Sequence, residues 1–489
     1  MEHLQILVVV IPLLAAPLCA LLPGRRLPWL LATTVAWVVL WASAVLALEV
    51  RAVGLLSYEI GGWAAPWGIE YRLDAASALV QLLIGAVAAV VLPFAGTSAA
   101  LEIAPERQGG FYAAVLLLVA GLLGITATGD AFNVFVFLEI SSLSSYLLIA
   151  LGRDRRALTA SFRYLIMGTL GATFYLIGVG LLYAMTGTLN MADLAERLPA
   201  VADTRAVHTA VAFLVTGICL KIALFPLHLW LPNAYAYAPS AVGALIAATS
   251  TKVAVYLLIR IVYTVLGVDF AFGQLALSTV LLVLAVLGML TASAVAVNQP
   301  DVRRMLAYSS VAQVGYMVLG LSLASVTGLT ASLLHLMNHA LMKGALFLAM
   351  GCVAYRLGGT RVSDFAGLGR AMPWTMAAFV AGGLSLIGVP LTVGFISKWY
   401  LVLAALEQGM WLLVVAVLAS SLLAVAYVWR VVEIAYFRGP APAGVREAPW
   451  TLLVPTWVLV LANFWLGIDT RATVGLATQA AQALLGAAP

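Results

Sequence analysis

Long apolar stretches separated by short polar connections run through this chain of 489 residues. About 20 apolar residues cross a bilayer as a helix, and about fourteen stretches reach that length. They lie near 3–22, 28–50, 71–94, 111–128, 131–151, 163–186, 207–230, 239–262, 274–297, 303–323, 327–354, 375–404, 410–437 and 450–469. The pattern predicts an all-α polytopic membrane protein with no sizeable soluble domain.

Arginines fall mainly in alternate connections between these stretches. If the N-terminus lies outside, the inside connections hold 15 arginines and the outside connections hold six. Because basic residues are enriched in cytoplasmic loops, this asymmetry predicts that both termini lie outside. The composition and orientation together predict a multi-pass protein of a prokaryotic inner (plasma) membrane.

Two predicted spans contain helix-breaking residues. The seventh carries Pro226 five residues after Lys221, and the twelfth carries Pro390 eight residues before Lys398. Proline removes a helix hydrogen bond and clashes with the preceding turn. Interrupted helices five spans apart are typical of an inverted repeat. The predicted division is a three-helix segment over 1–110, five-helix repeats over 111–262 and 274–437, and a C-terminal helix and tail over 438–489.

The composition excludes several classes of function. Hydrophobic residues make up 64% and charged residues 9%, against roughly 45–50% and 25% in soluble domains. The net charge of +5 comes from dispersed arginines, so no nucleic-acid surface is predicted. Cys19, Cys219 and Cys352 form no CxxC pair, so neither a metal site nor a cofactor is predicted.

All four lysines lie inside apolar stretches, at Lys221, Lys252, Lys343 and Lys398. On insertion scales, an ionisable group at mid-bilayer costs roughly 2.5–3.5 kcal/mol. A chain retains such groups when they pair, line a wet cavity or move protons. The lysines are therefore the first candidates for functional residues.

Glu139 is the acid that lies well inside the fifth predicted span. One interpretation is a protonated carboxyl group held by Ser141 or Ser142. The other pairs Glu139 with a lysine of another helix, and Lys221 is the natural partner because its helix breaks nearby. A carboxylate beside a desolvated lysine raises the lysine's proton affinity, so a pair that separates and re-forms would switch that affinity.

The remaining candidates form a polar series in the second half. Lys252 follows three hydroxyl residues, and snorkelling to an interface is its alternative interpretation. His335, His339 and Lys343 are spaced four residues apart and share one helical face. Three titratable groups on one stripe favour a proton wire over metal binding by the two histidines. Lys398, after the second break, is the candidate terminal relay.

Several segments resemble the antiporter-like subunits of respiratory complex I and of Mrp-type multisubunit cation/proton antiporters. These segments are FLEISSLSSYLL, GICLKIALFPLHLWLPNAYAYAPS, TKVAVYLLIR, NQPDVRRMLAYSSVAQVGYM, LLHLMNHALMKGALFL and GVPLTVGFISKWYL. The resemblance implies a fourteen-helix core with two inverted five-helix repeats. It also implies a buried pair of Glu139 and Lys221, and a polar axis through Lys252, His335, His339 and Lys343 to Lys398.

A short segment after the seventh predicted span differs from the pattern of some relatives and bears on which branch of the family the chain resembles. Complex I and membrane-hydrogenase relatives usually carry an Asp-Ala-His run after the seventh helix, where this chain has Asn233, Ala234 and Tyr235. The resemblance therefore favours the D subunit of an Mrp-type Na+/H+ antiporter. Its expected partners are other membrane subunits, the lipid bilayer, H+ and Na+. The alternatives are a proton-pumping subunit of a complex I-type NADH-quinone oxidoreductase or membrane-bound hydrogenase, and a non-transporting scaffold.

Overall fold

The structure of the protein is a computed structural model that describes residues 3–440 and 444–486. Its first half contains the helices α1 (Leu4–Leu21), α2 (Arg26–Val53), α3 (Ala75–Glu102), α4 (Gln108–Ala127), α5 (Ala131–Ala150), α6 (Arg156–Thr186), α7 (Met191–Arg197), α8 (Arg205–Ile222), α9 (Leu231–Tyr237), α10 (Ser240–Ala248) and α11 (Ser250–Ile259). Two π-helical stretches, Arg260–Leu266 and Asp269–Gln274, follow α11.

The second half contains α12 (Leu277–Val297), α13 (Val302–Ser322), α14 (Val326–Leu357), α15 (Leu368–Ala371), α16 (Pro373–Ile387), α17 (Val393–Glu407), α18 (Trp411–Phe437), α19 (Trp450–Ile468) and α20 (Arg471–Leu485). Short 3-10 turns occur at Ile60–Gly62, Pro105–Arg107, Leu198–Ala200 and Val362–Phe365. The strands β1 (Leu56–Glu59) and β2 (Glu70–Leu73) pair antiparallel, with Leu56 opposite Leu73.

The number of spans agrees with the sequence prediction. Thirteen helices in the described part of the chain are long and apolar enough to cross a membrane. The two shorter helices α16 and α17 together occupy the predicted twelfth span. The prediction of an all-α polytopic membrane protein with about fourteen spans is therefore confirmed. The third span begins at Ala75 rather than near 71, because the preceding residues form β2 and Asp74 caps α3 through Ser77 N.

Both predicted helix breaks are present. Helix α8 ends at Ile222, and Ala223 takes a left-handed backbone conformation with φ 61°. Helix α16 ends at Ile387, and Gly388 follows with φ 93°, where a residue without a Cβ is favoured. Each break ends a helix inside the bundle and leaves its last carbonyl groups without partners in the helix.

The two halves repeat one local arrangement at equal sequence spacing. Asp130 caps α5 and forms an antiparallel bridge with Asn190. Asp301 caps α13 in the same way and bridges to Arg361. Five predicted spans separate the two arrangements, so they lie at opposite ends of the bundle.

We call the end that carries Asp301 the arginine-rich end. Its loops and helix ends hold Arg25, Arg26, Arg107, Arg153, Arg155, Arg303, Arg361 and Arg446, among others. Asp74, Asp130 and Asn190 lie at the opposite end.

Helix α14 lies in the middle of the bundle. It packs against α3, α10, α13, α16, α17, α19 and α20, and 25 of its residues are buried. Helices α2, α6, α12 and α18 instead have broad exposed apolar faces, as expected of helices that face lipid. Helix α14 is therefore kept away from lipid by a shell of apolar helices.

Candidate functional site

The four lysine side chains point into the bundle. Lys252 and Lys343 are completely buried, and Lys221 and Lys398 are 6% and 7% exposed. The Lys252 ammonium donates hydrogen bonds to the carbonyl of Ala247 and to Thr251 Oγ1. Its contacts are with the protein interior, whereas a snorkelling side chain would direct its ammonium to a membrane interface.

Lys221 lies beside both Glu139 and Ser142 of α5. Its Nζ atom donates a hydrogen bond of 2.6 Å to Ser142 Oγ and lies 3.8 Å from Glu139 Oε1. That oxygen of Glu139 has no hydrogen-bond partner among the described residues, and the Glu139 side chain is 25% exposed. The carboxylate is thus at ion-pair distance but does not hold the ammonium through a short hydrogen bond.

Close packing of α8 against α6 sets the position of Lys221. A Cβ atom at Gly217 would lie 2.5 Å from the carbonyl oxygen of Gly171. Because Gly217 and Lys221 are four residues apart, they lie on the same face of α8. The glycine contact therefore allows the lysine to reach Ser142 and Glu139.

A small cavity joins Lys221 to α11. Its volume of about 20 Å³ is enclosed in part by Ser141, Ser142, Ser145, Tyr164, Lys221, Ser250 and Val253. The hydroxyl group of Ser250 is buried and has no hydrogen-bond partner among the described residues. A site of roughly 10–15 Å³ with several polar partners can hold one water, so the cavity is suited to a single water between the lysine and Ser250.

Lys252 lies at a helix break that was not predicted from the sequence. The predicted span over 239–262 is divided at Thr249, where α10 ends and α11 begins. Thr249 Oγ1 donates 2.7 Å to the carbonyl of Leu245, and such side-chain bonds compete with the helix. The signal was the Thr249–Ser250–Thr251 run, since no proline or glycine marks this break.

His335, His339 and Lys343, which we call the α14 stripe, lie along one face of α14, as their spacing predicts. The rings of His335 and His339 are stacked, with centroids 6.1 Å apart and planes 5° apart. His335 Nδ1 is 2.8 Å from Ser397 Oγ, and its Nε2 is 2.8 Å from Gln313 Oε1. Neither ring nitrogen of His339 has a partner among the described residues. His335 is therefore fixed at both nitrogens, whereas both nitrogens of His339 are open to a water or a proton donor.

Lys343 continues the stripe toward α13. Its Nζ atom donates 2.8 Å to the carbonyl of Leu306 and also bonds to Ser309 Oγ. Asn338, one residue before His339, donates 2.7 Å to the carbonyl of Val393 at the start of α17. The stripe is thus tied to both neighbouring helices.

Lys398 is held at the second break. Its ammonium donates to the carbonyls of Leu386 and Ile387 at 3.0 and 2.9 Å, and to Ser421 Oγ at 3.0 Å. It also lies 4.9 Å from the centre of the Tyr316 ring, within the range of a cation–π contact. The carbonyl groups at the end of α16 carry partial negative charge, so they attract this ammonium.

The lysines differ in their counter-charges. In the described residues, Lys221 is the one lysine with a carboxylate oxygen within 4.0 Å. The other three bond to carbonyl and hydroxyl oxygens, which accept a hydrogen bond from a neutral amine as well as from an ammonium. A neutral amine keeps two N–H donors, so Lys252 and Lys343 can keep both of their contacts in either charge state, and Lys398 can donate two of its three.

The second layer of contacts was not predicted from the sequence. Ser309, Gln313, Ser397 and Ser421 are neutral polar residues that bond to the lysines and histidines. Tyr316 places its ring beside Lys398 and pairs its hydroxyl group with Ser421. No sequence pattern distinguishes them from other serines and tyrosines in apolar helices. In the described part of the chain, no group of three or more His, Cys, Asp or Glu side chains is placed to hold a metal ion.

The fold and this buried lysine series define an antiporter-like membrane protein, and a family comparison agrees. Residues 128–424 match the family described as "NADH:quinone oxidoreductase/Mrp antiporter, TM", and the chain belongs to that family.

Among its relatives is NADH-quinone oxidoreductase subunit N of Desulforudis audaxviator, 48% identical over 95% of this chain and 96% of the relative. Another is the D subunit of the Na(+)/H(+) antiporter of Alkalihalophilus pseudofirmus, 32% identical over 91% and 90%. A solved structure of the membrane-bound sulfane sulfur reductase, an archaeal respiratory membrane complex, contains a similar chain. It superposes with a TM-score of 0.92 at 31% identity, over 99% of this chain and 98% of that chain.

Proposed function

We propose that this chain translocates protons as one subunit of a multisubunit membrane complex. The proposed proton carriers are Glu139, Lys221, Lys252, His335, His339, Lys343 and Lys398. The observation that carries the proposal is the burial of Lys252 and Lys343, each completely enclosed and bonded only to neutral oxygens. Because desolvation disfavours the ammonium form, such lysines release a proton more readily than lysines in water.

In this proposal, Glu139 controls the first step, which is the release of a proton from Lys221. With its carboxylate 3.8 Å from Lys221, the ammonium form of Lys221 is stabilised. When the two groups move apart, Lys221 keeps its neutral partner Ser142 but loses the counter-charge, and its proton is released. A water in the small cavity beside Ser250 would receive that proton on the way to Lys252. The α14 stripe would carry it on to Lys398.

We also propose that the chain is built from the five-helix repeats 111–262 and 274–437. The recurrence of the Asp130–Asn190 and Asp301–Arg361 arrangements at equal spacing supports this division. Five spans per repeat place the second copy upside down relative to the first. One repeat would then open a proton path to one side of the membrane, and the other repeat would open a path to the opposite side.

Proton movement through this chain has two candidate driving forces, exchange against sodium and a redox reaction. Sodium/proton exchange as an Mrp-type D subunit is supported by the Asn233–Ala234–Tyr235 segment and by the 32% identity to the D subunit of an antiporter. Redox-driven pumping is supported by the 48% identity to an oxidoreductase subunit N and by the likeness to a chain of a respiratory complex. Both couplings require other membrane subunits as partners, and no cofactor of this chain itself is proposed.

The proton role is tested by replacing Lys221 in membrane vesicles that contain the chain with its neighbouring subunits. Lys221→Ala is expected to abolish proton translocation. Lys221→Arg keeps the charge but hardly ever releases a proton, so it is expected to fold and remain inactive. Arg51→Gln, at an exposed helix end, is the matched control and should be active. Normal transport by a well-expressed Lys221→Ala variant would show that Lys221 does not carry protons.

The coupling is tested on the complex purified with the subunits that remain bound. An imposed sodium gradient that acidifies or alkalinises vesicles without any electron donor supports exchange. Proton movement that starts only with an electron donor and acceptor supports redox pumping. Both responses should disappear in Lys221→Ala. A complex that gives neither response would favour a scaffold.

A further inference from the structure

A cavity of about 470 Å³ opens at the arginine-rich end, between α2, α3, α14 and α19. Its lining contains none of the seven proposed proton carriers. Its lining includes Arg25, Arg26, Trp29, Pro93, Gly96 and Tyr355. We call it the Arg25 cavity.

The rim of the Arg25 cavity carries uncompensated positive charge. Arg25 and Arg26 are exposed, and within residues 3–440 and 444–486 neither side chain takes part in an ion pair or in a side-chain hydrogen bond. Both lie at the start of α2, whose first amides have no side-chain cap. The partial positive charge of a helix N-terminus adds to that of the arginines.

A neighbouring cavity at the same end has both arginines and carboxylates in its lining, unlike the Arg25 cavity. Its volume is about 320 Å³, and its lining combines Arg153, Arg156 and Arg303 with Glu102 and Asp154. Asp154 forms a 2.5 Å ion pair with Arg156. Arg156 there already has a carboxylate partner, and Glu102 and Asp154 place negative charge in the lining, so that cavity attracts an anion less than the Arg25 cavity does.

The inner wall of the Arg25 cavity is apolar and reaches into the membrane. Pro93 lies nine residues before the end of α3, which corresponds to about 13 Å along the helix. Helix α3 has 28 residues and is about 42 Å long, about 12 Å longer than a hydrocarbon core of about 30 Å, so Pro93 lies within the part of α3 that crosses the core. The ring of Trp29 lies against Gly96, where a Cβ atom would meet it at 2.6 Å, and its indole nitrogen donates 2.9 Å to the carbonyl of Leu92. Trp29 is thereby fixed as a flat apolar wall.

We propose that the Arg25 cavity binds an anionic phospholipid, with the phosphate group at Arg25 and Arg26 and one acyl chain along Trp29 and Pro93. Basic pockets between transmembrane helices recognise anionic headgroups in this way. A free phosphate would satisfy the arginines but leave the apolar wall uncovered. The exposed side chains of Leu30, Trp450 and Val454 on α2 and α19 are typical of a lipid-facing surface.

The proposal is tested with the full chain in detergent, by native mass spectrometry and thermal unfolding with added lipid. Phosphatidylglycerol or cardiolipin is expected to bind and to raise the melting temperature, whereas phosphatidylcholine is not. Arg25→Gln/Arg26→Gln is expected to bind the anionic lipid roughly 10–30-fold more weakly, since each arginine near a membrane surface contributes a factor of about five or less. Ala100→Phe, which fills the cavity from α3, should weaken binding without removing charge.

Arg51→Gln is the control, because Arg51 lies at the other end of the same helix. An equal loss of binding in Arg51→Gln would overturn the proposal in favour of non-specific attraction. Displacement of the lipid by millimolar inorganic phosphate alone would overturn it in favour of a phosphate site. If the complete complex carries a protein segment in the cavity and no lipid, the occupant is a partner protein and the lipid proposal is wrong.

Discussion

Lys398 donates a 3.0 Å hydrogen bond to the carbonyl oxygen of Leu386 and so joins the two halves of a broken helix. Lys252 makes the equivalent contact with Ala247, across the break between α10 and α11. In both cases the end of one helix supplies the oxygen and the next helix supplies the ammonium. The carbonyl groups freed by a break are thus the solvation shell of the buried lysine, which links the helix breaks directly to the proposed proton chemistry.

Two substitutions of Lys398 distinguish its structural role from its proposed role in proton transfer. Lys398→Met leaves the Leu386 and Ile387 carbonyls unpaired, at about 1–3 kcal/mol for each buried group, and is expected to lose both stability and proton transport. Lys398→Arg can still donate to the carbonyls but retains its proton. It should therefore unfold close to the wild-type temperature and transport no protons. Transport by Lys398→Arg would contradict a role in releasing protons.

Replacing each of the two stacked histidines with leucine should affect the unfolding free energy differently. His335→Leu leaves Gln313 Oε1 without its partner and removes one of the two contacts of Ser397, so it is expected to lower the unfolding free energy by about 1–3 kcal/mol. His339→Leu removes ring nitrogens that have no partner among the described residues, so the unfolding free energy should stay level or rise. Both variants should transport protons more slowly. Thermal unfolding in detergent, paired with vesicle transport, checks this; a full-rate His339→Leu would exclude His339 from the path.

Gly217 is expected to control the position of Lys221. A methyl group there would meet the Gly171 carbonyl at 2.5 Å and Tyr175 N at 2.7 Å, and backbone atoms cannot give way easily. Gly217→Ala is expected to cost about 1–3 kcal/mol and to slow transport by moving Lys221 from Ser142. Gly180→Ala on α6 is the control, because its Cβ would meet nothing within 4 Å. Equal behaviour of the two variants would show that the glycine contact does not position the lysine.

The ion pair of Asp74 and Arg260 ties the start of α3 to the π-helical stretch after α11. Arg260 donates two hydrogen bonds to Asp74, at 2.7 and 2.8 Å. Burial alone would raise the pKa of Asp74, but the charge and hydrogen bonds of Arg260, with those of Ser77, lower this pKa to about 2. The stability from Asp74 should therefore be complete above about pH 4 and be lost as the pH falls toward 2.

Removing one partner of this pair tests its contribution. Arg260→Met leaves a carboxylate unpaired and is expected to lower the unfolding free energy by about 2–4 kcal/mol at pH 7. Arg260→Met/Asp74→Asn should recover part of that loss. The pH dependence of unfolding between pH 5 and about 2 is the measurement, and it should change in Arg260→Met. An unchanged profile would mean that the pair does not stabilise the fold.

The sequence determined the class of the protein, the number of spans and the breaks after Lys221 and before Lys398. Apolar length fixes a span and proline interrupts a helix, and both effects are local. The spacing of His335, His339 and Lys343 fixed their common face for the same reason. The break at Thr249 escaped prediction, because hydroxyl groups that compete for carbonyls also occur in unbroken helices.

Only the tertiary structure decided what each buried group touches. Lys221 meets Ser142 because Gly217 lets α8 approach α6, and Lys343 meets Leu306 because α14 crosses α13 at that level. Such contacts depend on how distant helices pack, and a helix presents the same pattern of side chains whichever neighbour it meets. The sequence therefore specified which groups are taken out of water, and the packing specified the oxygen atoms that surround them.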